Sequence, residues 1–304
     1  MTAPTVPGYL DVPGGRLYYE VRGSGPLLLV IGQPMSSEPF APLADLLAAD
    51  HTVVTYDPHG LARSTVDDPA LEVTPEVQAD DLALLVDAVG SGPADVFASS
   101  GGAVAALALA ARHPEQVRTV IAHEPPVTEL LPDAPHIRAV VDTIEDAYRQ
   151  HGSGAGWGGF VDLVVHDGPL TGPAVPPAAW PPPGQDVGEE DASQGGGADG
   201  AGQEPPAPSA KQQADDELFF LRMLKPFTRY RPLVDVLRSG SPQIVIGIGE
   251  ASGGELAGRS TRALAEQLGV EPTPFPGDHA GFLGDTRAFA DTLSRVVERQ
   301  QAAR

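Results

Sequence analysis

The chain contains no cysteine. That excludes disulfides, Cys-ligated zinc, iron–sulfur clusters and a cysteine nucleophile. Basic residues are scarce: 19 Lys and Arg stand against 41 Asp and Glu over 304 residues, a net charge of −22. A surface of that sign repels phosphate backbones, and no basic cluster interrupts it, which argues against nucleic acid as a partner. No apolar stretch approaches the roughly 18 residues needed to cross a bilayer. The opening MTAPTVPGYLDVPGG has no basic segment leading into an apolar run. The expectation is a soluble, cytoplasmic protein without a membrane partner.

What is present alternates. Gly8–Arg22 reads as a hairpin turning at Pro13-Gly14-Gly15. Pro26–Ile31 is a continuous apolar run suited to a strand buried on both faces. Helical spacing follows at Phe40–Ala49, a strand at His51–Tyr56, and a helix at Pro75–Val89 with Thr74 as N-cap. Asp95–Ala98, Gly101–Arg112 and Arg118–Ala122 continue as strand, Ala-rich helix and strand. This alternation predicts an α/β fold, a mostly parallel sheet covered by helices on both faces. The pattern breaks near Pro125. Residues 136–150 and 212–225 read as helices with no strand between them. Residues 166–209 hold 10 Pro, 9 Gly, seven acids and no Lys or Arg in 44 residues, which reads as a mobile stretch unable to offset its ordering entropy. Strand and helix signals resume at Gln243–Ile248, Glu255–Leu268, Glu271–Phe275 and Thr286–Gln300. The expected layout is one core built from residues 1–125 and 239–304, with a helical insertion over 126–238.

The most informative local feature is VFASSGGAVAALALAARHP. A short apolar strand runs through Ala98-Ser99-Ser100-Gly101-Gly102 into a helix. A nucleophilic serine on such a turn needs small neighbours at −2 and +2, because strand and helix approach closely there. With Ser100 those neighbours are Ala98 and Gly102; with Ser99 the −2 neighbour is Phe97, which does not fit. Ser100 is the candidate nucleophile, and the Gly101 N–H, at the helix start, is a candidate oxyanion donor. Taken alone, Ser-Ser-Gly-Gly also reads as an ordinary helix cap.

The hairpin, PLLLVIGQP, YDPHGLARS, ASSGG and PGDHAGF, in that order, resemble the α/β-hydrolase superfamily over nearly the whole chain outside the insertion. The family pattern is G-x-S-x-G; here Ala98 stands at its first Gly. The resemblance implies that His279, in the loop before the last helix, is the catalytic base, and that the Gln33 amide is the second oxyanion donor, since Pro34 has no N–H. His59 and His123 lie on loops that border the pocket in that arrangement. Family members usually carry the triad acid in a G-x-x-D segment after the QIVIGI-type strand; here that position is Ser252. Some carry it after the preceding strand, which implies Glu124. Glu250 and Glu255 are the alternatives nearest the usual site, and a site without a conventional acid is the remaining one.

The resulting expectation is a serine hydrolase acting on an ester or lactone of a small, largely apolar substrate, through an acyl-enzyme at Ser100, with no cofactor. The alternative is a repurposed hydrolase fold: a lyase, isomerase or cyclase, or a binding protein. An epoxide hydrolase or dehalogenase of this fold calls for Asp at position 100. A dinucleotide-binding dehydrogenase calls for an early G-x-G-x-x-G, which is missing.

Overall fold

The computed structural model describes residues 4–90, 92–172 and 209–302. Among these residues nine strands form one sheet: β1 (Val6–Val12), β2 (Gly15–Arg22), β3 (Leu27–Gln33), β4 (Thr52–Tyr56), β5 (Thr65–Val66), β6 (Ala94–Ser100), β7 (Val117–His123), β8 (Gln243–Gly249) and β9 (Thr273–Phe275). Their spatial order is β1-β2-β4-β3-β6-β7-β8-β9, with β5 alongside β2. The pairs β1/β2, β2/β4 and β2/β5 are antiparallel and all others parallel.

Residues alternate between faces along each strand. Leu27, Leu29 and Ile31 therefore pack with α2 (Pro75–Val89), α3 (Gly101–Arg112) and α9 (Leu256–Leu268). Leu28 and Val30 face the other way, toward α1 (Ala41–Leu47) and α10 (Thr286–Ala302). All seven residues of β3 are buried, which accounts for its unbroken apolar run. The α2 boundaries follow local chemistry. The Thr74 hydroxyl accepts from the Val77 N–H at 3.3 Å, Pro75 occupies the first turn, and Gly90 ends the helix at φ 72°.

Between β7 and β8 the chain forms α4 (Ala134–His151), α5 (Ser153–Val165), α6 (Ala210–Leu218), α7 (Leu224–Thr228) and α8 (Val234–Ser239). The helix expected over 212–225 is broken: Phe219–Met223 make a π-helical turn between α6 and α7. Helix α5 is not evident in the sequence. Four of its thirteen residues are glycine, each a poor helix former. It exists because its aromatics are held from outside. Trp157 stacks on Phe219 at 5.1 Å and donates through Nε1 to Asp216 at 3.0 Å, and Phe160 meets Phe219 edge-on at 5.2 Å. Of the stretch expected to be mobile, residues 173–208 lie outside the described residues. Residues 166–172 are tied down instead: the Gly168 N–H donates to Gly254 O at 3.0 Å, Arg259 donates to Gly168 O at 2.8 Å, and the Leu170 N–H donates to Asp133 at 2.8 Å. No helix among the described residues is long and apolar enough to cross a membrane.

Candidate active site

The C-terminal ends of the parallel strands lie side by side, the usual location of a ligand crevice in such sheets. Gln33 ends β3 opposite Ser100 at the end of β6; Ser99 is opposite His123, and His123 is opposite Gly247. Ser100 has φ 56°, ψ −130°, a backbone conformation L-residues rarely adopt. Its small neighbours have a steric cause. A Cβ on Gly102 would lie 2.7 Å from Gly32 Cα, and one on Gly101 would lie 3.1 Å from Gln33 Cβ. Ala98 is fully buried.

The loop after β3 is anchored by Asp57, which follows β4 and is fully buried. It accepts from the Ser37 N–H and hydroxyl, both at 2.8 Å, and from Arg63 Nε at 2.7 Å. Burial alone would raise the Asp57 pKa, but these donors more than offset it and hold the carboxyl below its usual range. The YDPHGLARS segment thus fixes the stretch that carries Gln33.

Glu124 directly follows β7 at φ 50°. Its Oε1 accepts from the Gly249 N–H at 2.9 Å and its Oε2 from His279 Nδ1 at 2.8 Å. The Ser252 hydroxyl also bonds this carboxylate. Burial pushes the Glu124 pKa up; the bonds from His279, Ser252 and Gly249 outweigh it and bring it to about 2. The His279 ring lies in the turn after β9. A Cβ on Gly277 would meet Gly281 Cα at 2.7 Å, so the PGDHAG turn closes only with glycine there. With Nδ1 donating to Glu124, Nε2 of the neutral ring is left as an acceptor. His279 and Ser100 line the same cavity.

Of the other candidate acids, Glu255 spends Oε2 on the Gly253 N–H at 2.7 Å, and Glu250 is exposed. Neither is hydrogen-bonded to His279. His59 is buried in a pair with Asp81 at 2.8 Å, away from the cavity. His123 is buried behind the site, 3.2 Å from Ser99 Oγ and packed edge-on to Phe275 and Phe289. Burial depresses the His123 pKa to about 4, so it is neutral at pH 7.

The cavity is walled by apolar side chains, among them Pro126, Phe160, Leu163, Phe219, Met223 and Phe227. Phe219 and Met223 bracket the π-helical turn, a type of turn frequent at functional sites. Sequence periodicity could not locate that turn, because FFLRMLKPF reads as ordinary helix. Ser252 was legible as a departure from a pattern, but its bond to Glu124 was not. Among the described residues no cluster of His, Asp or Glu is arranged to hold a metal ion.

Residues 25–170 match the family model described as alpha/beta hydrolase fold. The chain is 29% identical over 300 residues to the uncharacterized hydrolase YraK of Bacillus subtilis, covering 97% of both chains. It superposes on a thermophilic esterase from Thermogutta terrifontis with a TM-score of 0.68 at 16% identity, covering 98% of this chain and 99% of that one. It superposes on the enol-lactonase from Burkholderia xenovorans with a TM-score of 0.62 at 15% identity, covering 96% and 100%. Strand order, the Ser100 turn and these likenesses agree: the chain is a hydrolase of the α/β-hydrolase fold.

Proposed function

We propose that the protein is a serine hydrolase that cleaves a carboxylic ester or lactone of a small, largely apolar substrate. His279 Nε2 takes the proton from Ser100 Oγ as the oxygen adds to the carbonyl carbon. The backbone N–H groups of Gln33 and Gly101 stabilise the oxyanion. His279 then gives its proton to the leaving alkoxide, and an acyl-enzyme remains. Water repeats the sequence and releases the acid. Glu124 holds the ring tautomer and stabilises the imidazolium. Besides the substrate, only water is required. Residues 126–238 act as a helical cap over a core of 1–125 and 239–304, and the enzyme works free in the cytoplasm.

The observation that carries this reading is the 2.8 Å contact between His279 Nδ1 and Glu124, a carboxylate fixed by two further donors. The apolar walls and the esterase and lactonase neighbours favour an ester or lactone over a charged substrate. A fluorophosphonate probe should add one mass increment to the wild type and none to Ser100→Ala. Equal labelling of both proteins would sink the assignment.

A further inference from the structure

Gln33 brings two separate groups to the site. Its backbone N–H belongs to the oxyanion reading; its carboxamide has no role there. That side chain is 3% exposed and lines both the deep cavity and its opening beside Ser100. Nε2 donates to the thioether of Met223 at 3.3 Å, and Oε1 has no hydrogen-bond partner among the described residues. The wall around it offers little else that is polar. The Thr228 hydroxyl is committed to Leu224 O at 2.8 Å. No Lys, Arg or carboxylate lines the deep cavity among the described residues.

A buried acceptor without a partner is costly, whereas an apolar side chain of the same length would pack there without that cost. A thioether is a weak acceptor, so the amide is loosely held and ready to exchange partners. Gln33 Cβ abuts Gly101, and Gln33 pairs in register with Ser100. A group bonded to the carboxamide therefore sits close to the scissile carbonyl.

We propose that the Gln33 side chain is a specificity determinant: Oε1 accepts a hydrogen bond from a hydroxyl near the carbonyl carbon of the acyl group. The preferred substrates are then neutral hydroxyacyl esters or hydroxylated lactones rather than plain alkanoates. This rests on the Ser100 hydrolase reading. A free carboxylate finds no counter-charge in the deep cavity and is disfavoured.

The test compares kcat/KM for phenyl butanoate and for each enantiomer of phenyl 2-hydroxybutanoate on the full chain. Each value is divided by the hydroxide-catalysed rate constant of the same ester. The corrected preference for one hydroxy enantiomer should be about 10-fold or more in the wild type and should fall toward unity in Gln33→Met. A corrected preference near unity in the wild type overturns the proposal, as does a preference that survives Gln33→Met. If the variant does not fold, the wild-type ratio decides alone. Both esters are also run as competitors of fluorophosphonate labelling. A protein labelled at Ser100 that neither turns over nor binds these esters overturns this proposal and leaves the Ser100 reading standing. A protein not labelled at Ser100 overturns that reading, and this one with it.

Discussion

Glu124 and Ser252 exchange the places that the resemblance leads one to expect. The carboxylate sits after β7, and the position after β8 carries a hydroxyl that supports it. Removing the charge while keeping the shape separates orientation from packing. Glu124→Gln should fold and lower kcat by about 10²–10⁴. Glu250→Gln and Glu255→Gln should leave kcat within about two-fold, since neither side chain bonds the imidazole. Steady-state ester turnover of the three variants checks this; a silent Glu124→Gln beside an impaired Glu250→Gln would reassign the acid. Ser100 is legible as a candidate because its turn calls for small neighbours, whereas His279 and Gln33 become candidates only through the resemblance. Glu124 was legible only as one of three carboxylates. What selects it is a contact spanning 155 residues, and no local pattern encodes that.

At the scale of elements, the sheet and its flanking helices were readable from periodicity, because strands buried on both faces and capped amphipathic helices mark themselves locally. Helix α5 was not. Its glycine-rich sequence opposes helix formation, and contacts from α6 and the π-helical turn override that preference. Two glycines in this helix separate the opposing effects. A Cβ on exposed Gly158 meets nothing within 4 Å, while one on buried Gly156 lies 3.0 Å from the Phe220 ring. Phe220 is fully buried and stacked on Tyr148 at 4.9 Å, so it has little room to yield. Gly158→Ala should raise stability by about 1 kcal/mol. Gly156→Ala should gain nothing or lose stability and, because Phe219 and Phe160 share this cluster, should also alter KM. Chemical denaturation and ester kinetics of the pair check both signs.

At the scale of the whole molecule, acid sensitivity should have an identifiable component from His123. Its folded pKa of about 4 lies below the usual histidine value of 6.5. The unfolded chain therefore binds the proton first, and the stability from keeping the ring neutral is complete above about pH 6.5. It is lost as pH falls toward 4, by up to about 3 kcal/mol. Glu124 adds a second loss at lower pH, from its ordinary value of 4.5 down through about 2. His123→Gln should flatten the dependence of Tm on pH between 6.5 and 4 while leaving the lower limb in place. Parallel slopes for both proteins would assign the upper limb to other groups. The position of the acid also bears on how the chain comes off the ribosome. Ser100 and Glu124 are only 24 positions apart in the sequence, at the ends of the neighbouring strands β6 and β7. Both are synthesised before any of residues 126–238. One compact β–α–β unit sets the backbone positions of Ser100 and Glu124, while the groups that hold the Glu124 carboxylate, Gly249, Ser252 and His279, must all return across the later-made segment. Were the acid at position 252, two of the three groups would wait for that return. Nascent-chain variants that lengthen or shorten the segment should thus delay the arrival of Gly249, Ser252 and His279 together and leave the backbone spacing of Ser100 and Glu124 untouched.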